Sequence, residues 1–262
     1  MSIHPSAIIE QGAEIGEGCK IGPFCHIGAG VRLGEGVRLH SHVALAGDTT
    51  IGNETEIWPF ASVGSQPQDL KFAGEKTQLV IGARTMIRES VSINPGTVGG
   101  GGLTEIGDDC LFMLGTHVGH DCKVGNRVVV ANHASLAGHV IVGAGAIIGG
   151  LAGIHQFVRI GEGAIIGALS MVVADVIPYG SVIGERPRLA GLNLIGLKRR
   201  GMDRADISSL RAAYKTLFSG TGTLRDRAEQ LLPEADNAYV ENMLGFILSD
   251  SDRSFCTPKA KT

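Results

Sequence analysis

Residues 106–172 read IGDDCL FMLGTH VGHDCK VGNRVV VANHAS LAGHVI VGAGAI IGGLAG IHQFVR IGEGAI IGALSM V, and every block of six opens on an apolar residue. The same phase runs from Ile9 through Ile15, Ile21 and Ile27 to Val63, and reappears at Ile81, Ile87 and Ile93. Glycine often follows the marker residue, as in Ile21-Gly22, Ile81-Gly82, Val124-Gly125 and Ile160-Gly161. A period of six suits one short strand and one corner per block, with the marker pointing inward and a small residue allowing the bend. Three blocks close a coil of about 18 residues, and each coil bonds to its neighbours above and below. A single coil cannot bury its apolar face, so the stack supplies the stability. This reading predicts a parallel β-helix but leaves its hand open.

The clock breaks twice, over 65–78 and 94–105, and the second break holds the run Gly99 to Gly102. Both stretches are too long for corners and should loop out of the prism, where sites are commonly built. After Val176-Ile177-Pro178 the clock stops. Leu210, Tyr214 and Leu217 are then spaced as on a helix, with Asp203 a candidate N-cap. A break is expected at Gly220 to Gly222, and one or two helices within 231–247. The expected organisation is a mainly β prism over 1–187 and a helical C-terminal domain over 188–262, which also covers the open solenoid end.

Composition agrees with short strands and tight corners: glycine reaches 39 residues and aromatics only 5%. A net charge of −3 does not indicate a nucleic-acid binder. The charge is uneven, since Arg186 to Arg227 carries ten Lys/Arg against three acids. Such a basic segment could dock an acidic partner. Five cysteines without a C-x-x-C pair are read as free thiols of a reducing compartment. With no N-terminal leader pattern and no apolar run of spanning length, a cytoplasmic protein without membrane insertion is expected.

Residues 18 apart should stack on successive coils. That places His120, Gly138 and Gln156 in one column, with Asp121 and His139 in the column beside it and His117 close by. Taken singly, each has an ordinary reading as a solvated histidine, a corner glycine or a polar rung. Together they form a candidate acid–base site. Zinc held by the histidines is the rival reading, and a purely structural solenoid is another.

The runs Gly115-Thr-His117-Val-Gly-His120-Asp121, Asn132-His-Ala-Ser-Leu-Ala-Gly138-His139, Ile154-His155-Gln156-Phe157 and Gly196-Leu-Lys-Arg199-Arg200-Gly201 closely resemble the UDP-N-acetylglucosamine O-acyltransferases of the hexapeptide-repeat class. The likeness extends to Gln68-Asp69-Leu-Lys71 and covers nearly the whole chain. It implies a left-handed prism, a homotrimer whose sites draw on two chains, and transfer of a 3-hydroxyacyl group from acyl carrier protein to the sugar 3-hydroxyl of UDP-GlcNAc, at the start of lipid A synthesis. It implies no metal and no cofactor beyond the phosphopantetheine that carries the donor.

By the same resemblance His120 is the general base, Asp121 its orienting partner and Gly138 the oxyanion donor. Asp69, Lys71, Asn94, His117 and His139 would hold the sugar, and Gln156, Asn193, Arg199 and Arg200 the uridine diphosphate. Gly150, Ala168 and Arg186 would set the acyl length, with Ala168 implying an intermediate chain. Cys122 is a bystander. Two positions depart from the family pattern. Asn94-Pro95-Gly96-Thr97 stands where His-Arg-Gly-Thr is common, which admits a 3-amino analogue of the sugar as acceptor. Ile195 replaces a frequent Glu near the nucleoside.

Overall fold

The computed structural model describes residues 1–251 and 253–259; the last three positions of the expected 188–262 domain lie outside them. The chain winds as a left-handed parallel β-helix with three flat faces. The first face has eleven strands, from Ser2–Ile3 to Arg188–Leu192. The second has nine, from Ile8–Ile9 to Met171–Val172, and the third eight, from Glu14–Ile15 to Arg159–Ile160. As far as Met171–Val172 successive strands visit the faces in rotation, and neighbours on one face with no insertion between them pair in register at a distance of 18 residues, as in His117 with Ser135 and Ser135 with Gly153.

The marker residues of the six-residue clock point inward from all three faces and meet in one interior. Ile27, Leu45, Ile57, Ile87, Phe112, Val130 and Ile148 are all fully buried there. Cysteines share this interior: the Cys122 thiol donates to the Ala137 carbonyl one coil on, at 3.1 Å. At the edges the backbone turns through the left-handed region, even where the residue is not glycine: Asp121, His139 and Phe157 have φ of 59°, 62° and 62°. The same conformation recurs at the other two edges, for instance at Arg84 and Leu151. It therefore belongs to the corner and does not mark the site.

Two insertions leave the prism at the same edge, between the second and third faces. One spans 64–77, between strands Ser62–Val63 and Gln78–Ile81. The other spans 94–102, between Ser92–Ile93 and Leu103–Ile106, and holds a one-turn helix at Val98–Gly100. They shift the register: Ile57 pairs with Ile87, thirty residues on, and Ile87 with Phe112, twenty-five on. Strands resume at Gln78 and Leu103, ahead of the clock markers Ile81 and Ile106, because the strands that follow the loops are four residues long.

The last two strands, Gly180–Ile183 and Arg188–Leu192, form an antiparallel hairpin that ends the first face. Among the described residues four α-helices follow: α1 (Leu194–Arg199), α2 (Arg204–Ser219), α3 (Leu224–Leu231) and α4 (Ala238–Leu248). Asp203 caps α2 as its position indicated, accepting from the Asp206 amide at 2.8 Å. Gly220 ends α2. The helix α3 was not foreseen; polar side chains dominate it, and a capping box between Thr223 and Asp226 starts it. After α4 the chain returns to the prism, where Asp175 receives hydrogen bonds from Arg159 and Ser251. Among the described residues no helix is long and apolar enough to cross a membrane.

Candidate active site

The edge that carries both insertions also carries the residues 18 apart. On three successive coils its corners present His120-Asp121, Gly138-His139 and Gln156-Phe157. A cleft of about 450 Å³ opens beside them, lined by Asn94, His117, His120, Gly138 and Gln156 among the foreseen residues. Gln68 from the first insertion, His155, and the outward residues Ser135, Gly153 and Met171 of the second face are also among its walls.

His120 and Asp121 are buried and bonded to each other, Nδ1 to Oδ2, at 2.7 Å. That bond leaves Nε2 of His120 as the free ring nitrogen. The His120 ring lies against Gly138 closely enough that a Cβ there would collide with it. Among the described residues, the Gly138 N–H finds no acceptor, although its carbonyl accepts from Phe157 at 3.3 Å. A base and an unspent N–H donor thus stand side by side on neighbouring coils.

The Asp121 carboxylate has further partners in the second insertion. Oδ1 accepts from the Thr97 amide at 2.8 Å, and Oδ2 accepts from the Thr97 hydroxyl at 2.6 Å. The Asp121 amide donates to Thr104 Oγ1 at 2.8 Å. His139 stands edge-on to His120, with 5.0 Å between centroids, and its Nε2 lies 3.8 Å from Asp121. Burial holds the pKa of His139 below its ordinary value and the charge of His120 lowers it further, against the opposing pull of Asp121 and Asp69. His117 is also held low, first by burial and then by the charge of His120; its Nδ1 pairs with Ser92 Oγ at 2.8 Å. Both rings are therefore neutral near pH 7.

His120, Asp121 and His139 bring one ligand atom each to within 4.8 Å of one another, the arrangement on which a metal reading rests. Asp121 Oδ2, however, already accepts from Thr97 and His120.

A family model described as "Udp N-acetylglucosamine O-acyltransferase; Domain 2" matches residues 175–256, and one described as "Bacterial transferase hexapeptide (six repeats)" matches 12–47 and 103–138. A protein of Rhizobium etli named acyl-(acyl-carrier-protein)–UDP-N-acetylglucosamine O-acyltransferase is 48% identical over 257 residues, which is 98% of this chain and 94% of that one. The chain belongs to the UDP-N-acetylglucosamine O-acyltransferase family. It is an acyltransferase. A relative of the same name from Paracoccus denitrificans is 58% identical over 202 residues, 77% of each chain. A crystal structure titled as a UDP-N-acetylglucosamine acyltransferase superposes with a TM-score of 0.96 at 45% identity, covering 99% of this chain and 100% of that one.

Against this acyltransferase frame the foreseen residues fall into separate groups. Asp69 acts on the charge of His139 but spends Oδ1 on the Lys71 amide, 3.0 Å away, and the Lys71 side chain is exposed. Asn94 is buried, and its Nδ2 donates to the Ser65 and Gln66 carbonyls at 3.0 and 3.3 Å, tying the first insertion to the prism. Among the described residues its Oδ1 is buried without a partner.

Asn193, Arg199 and Arg200 stand at a different place, by the edge between the third and first faces. There they line a cavity of about 650 Å³ with Ile147, Ile165 and Ile195. Asn193 caps α1 through the Gly196 amide and donates to the Gly163 carbonyl, while Arg200 donates to the Gly145 and Gly163 carbonyls. Gly150 and Ala168 sit at the remaining edge, between the first and second faces. Arg186, in the hairpin turn, borders a cavity of about 410 Å³ that shares Met171 with the His120 cleft and is also lined by Phe255 and Cys256 of the returning chain.

Sequence reading missed Ser92, Thr97, Thr104, Phe157 and Met171. Phe157 lies eighteen residues after His139, and Met171 thirty-six after Ser135, so the stacking arithmetic contained both. Thr104, eighteen before Cys122, also fell within it, but Ser92 and Thr97 are offset by the second insertion and carried no such signal.

Proposed function

We propose that this acyltransferase moves a 3-hydroxyacyl group from acyl carrier protein to the 3-hydroxyl of UDP-GlcNAc, the opening step of lipid A synthesis, as a cytoplasmic homotrimer. The observation that carries the reading is the His120–Asp121 pair facing a cleft beside the unspent Gly138 N–H. His120 Nδ1–H donates to Asp121, so Nε2 takes the proton of the sugar hydroxyl as its oxygen attacks the thioester carbonyl. The Gly138 N–H donates to the developing oxyanion. Collapse expels the phosphopantetheine thiolate, which recovers the proton from His120. The neutral rings of His117 and His139 add hydrogen bonds without a competing positive charge.

The distribution over edges supports the trimer. A three-fold axis can bring the Arg199–Arg200 edge of one subunit to the His120 edge of the next, so that paired guanidiniums meet the diphosphate. The test is transfer from a panel of 3-hydroxyacyl carrier proteins to UDP-GlcNAc, with His120→Ala alongside and sedimentation to report assembly. Transfer abolished by the substitution supports the reading; absence of transfer by the wild-type protein overturns it. Stoichiometric zinc in the purified protein would favour a metal-dependent reaction instead.

The unpartnered Asn94 Oδ1 favours a second reading, with the 3-amino analogue as acceptor. An amine can give one N–H to His120 and another to Asn94, whereas a hydroxyl has a single proton to place. Offering the analogue in the same assay separates ester from amide formation.

A further inference from the structure

We infer that Thr97 is a positioning residue that selects which histidine Asp121 serves, and that Gly100 is the space reserved for that contact. The kinetic consequence rests on the acyl-transfer reading; the geometry does not. Asp121 lies between two imidazoles: His120 Nδ1 at 2.7 Å and His139 Nε2 at 3.8 Å from the same oxygen. Its backbone lies in the left-handed region at φ 59°, the conformation common to the corners, and so does not itself choose between the rings. Thr97 supplies the choice. Its amide and hydroxyl take one carboxylate oxygen each, at 2.8 and 2.6 Å, and two bonds to two oxygens fix the carboxylate plane. In that plane Oδ2 meets His120.

The loop is built to hold Thr97 in place. Its carbonyl accepts from the Gly100 and Gly102 amides at 3.0 and 2.8 Å, closing the one-turn helix back over Asp121. Gly101 and Gly102 turn at φ 93° and 81°, a region that side chains resist. Gly100 has a different reason to be glycine: a Cβ there would land on the Asp121 carboxylate. Thr97 is thereby buried, although it belongs to an insertion. Released from this clamp, the carboxylate is free to turn toward His139. His120 would then lose the partner that keeps its proton on Nδ1.

Thr97→Val keeps the shape and the amide bond but removes the hydroxyl, Thr97→Ser restores the hydroxyl, and Gly100→Ala displaces the carboxylate while deleting no polar group. With UDP-GlcNAc, Thr97→Val is expected to lower kcat by about tenfold, the worth of one hydrogen bond to a charged group. KM should stay within about threefold, since the substrate itself loses no contact. Thr97→Ser should recover most of the rate, and Gly100→Ala should fall further than Thr97→Val.

A readout free of turnover is the His120 Nδ1 proton in the unliganded protein. It is expected as a slowly exchanging, far-downfield resonance that weakens in Thr97→Val and disappears in Gly100→Ala. An unchanged resonance in both variants overturns the inference whatever the assay shows. So does a Thr97→Ser rate as low as that of Thr97→Val. A wild-type protein that shows the resonance but no transfer would sink the proposed reaction and leave the clamp standing.

Discussion

Phe157 lies flat on His139, with 4.4 Å between ring centroids and 11° between planes, although eighteen residues separate them. The stack shields one side of an imidazole whose pKa burial already holds down. Phe157→Ala should open that side to water and let the pKa of His139 rise toward its ordinary value. A histidine-resolved NMR titration reads this directly; an unchanged or lower midpoint would show that the stack does not contribute to the desolvation.

His117 and His139 also make stability depend on pH. Both have pKa values depressed below the ordinary 6.5, so near that value the unfolded chain binds more protons than the folded one. Stability then falls as pH drops through 6.5 and levels off once the lower folded values are passed. His117→Gln removes one of the two contributions. Its thermal midpoint should drop less than that of the wild type between pH 7.5 and pH 5.5. An equal or larger drop would mean that the burial of His117 carries no such cost.

The edge that carries the candidate site was legible to the extent that the clock kept time. His120, Gly138 and Gln156 could be stacked by counting because no insertion separates them, and they do share one cleft. The same count reaches Phe157 from His139, yet an exposed aromatic at a corner draws no attention without the ring beneath it. Thr97 lies 24 residues before Asp121, and Ser92 lies 25 before His117. Those separations include the second insertion, so no period could bring them together. Arg199 and Arg200 come after the clock stops, and only the three-dimensional path of α1 sets them at another edge. Helix α3 stayed hidden because its face is mostly polar and its start is signalled by a cap rather than by periodic apolar residues.

Cys122 stands next to the His120–Asp121 pair without sharing its chemistry. Burial, with Asp121 adding to it, pushes its thiol up to about 12, and the Sγ–H is spent on the Ala137 carbonyl. A thiol so held is not a nucleophile at neutral pH. Cys122→Ala should keep transfer within about threefold of wild type, since it removes only a small buried volume. Iodoacetamide at pH 8 should leave Cys122 unmodified in the folded protein by peptide mass spectrometry. A burst of covalent acyl-enzyme at Cys122 would defeat both expectations.

Asp175 ties the returning chain to the end of the prism. It is fully buried, pairs with Arg159 Nε at 2.7 Å, accepts from the Arg159 amide at 2.8 Å, and accepts from Ser251 Oγ at 2.7 Å. Its backbone joins the tie, the amide donating to the Ser254 carbonyl and the carbonyl accepting from Cys256. Arg159 in turn lies over the Phe246 ring, 4.5 Å from its centroid, so the ion pair also positions α4. Asp175→Ala strands a largely buried guanidinium, a loss of about 3–5 kcal/mol for a broken buried pair. Because Phe255 and Cys256 wall the cavity next to Met171, the damage should reach function as well as stability. The expected result is a lower denaturation midpoint together with protease cleavage within 249–257 while the prism stays intact. If the whole chain instead unfolds in one step with no early cleavage in that segment, Asp175 supports the prism itself and not the attachment of its cap.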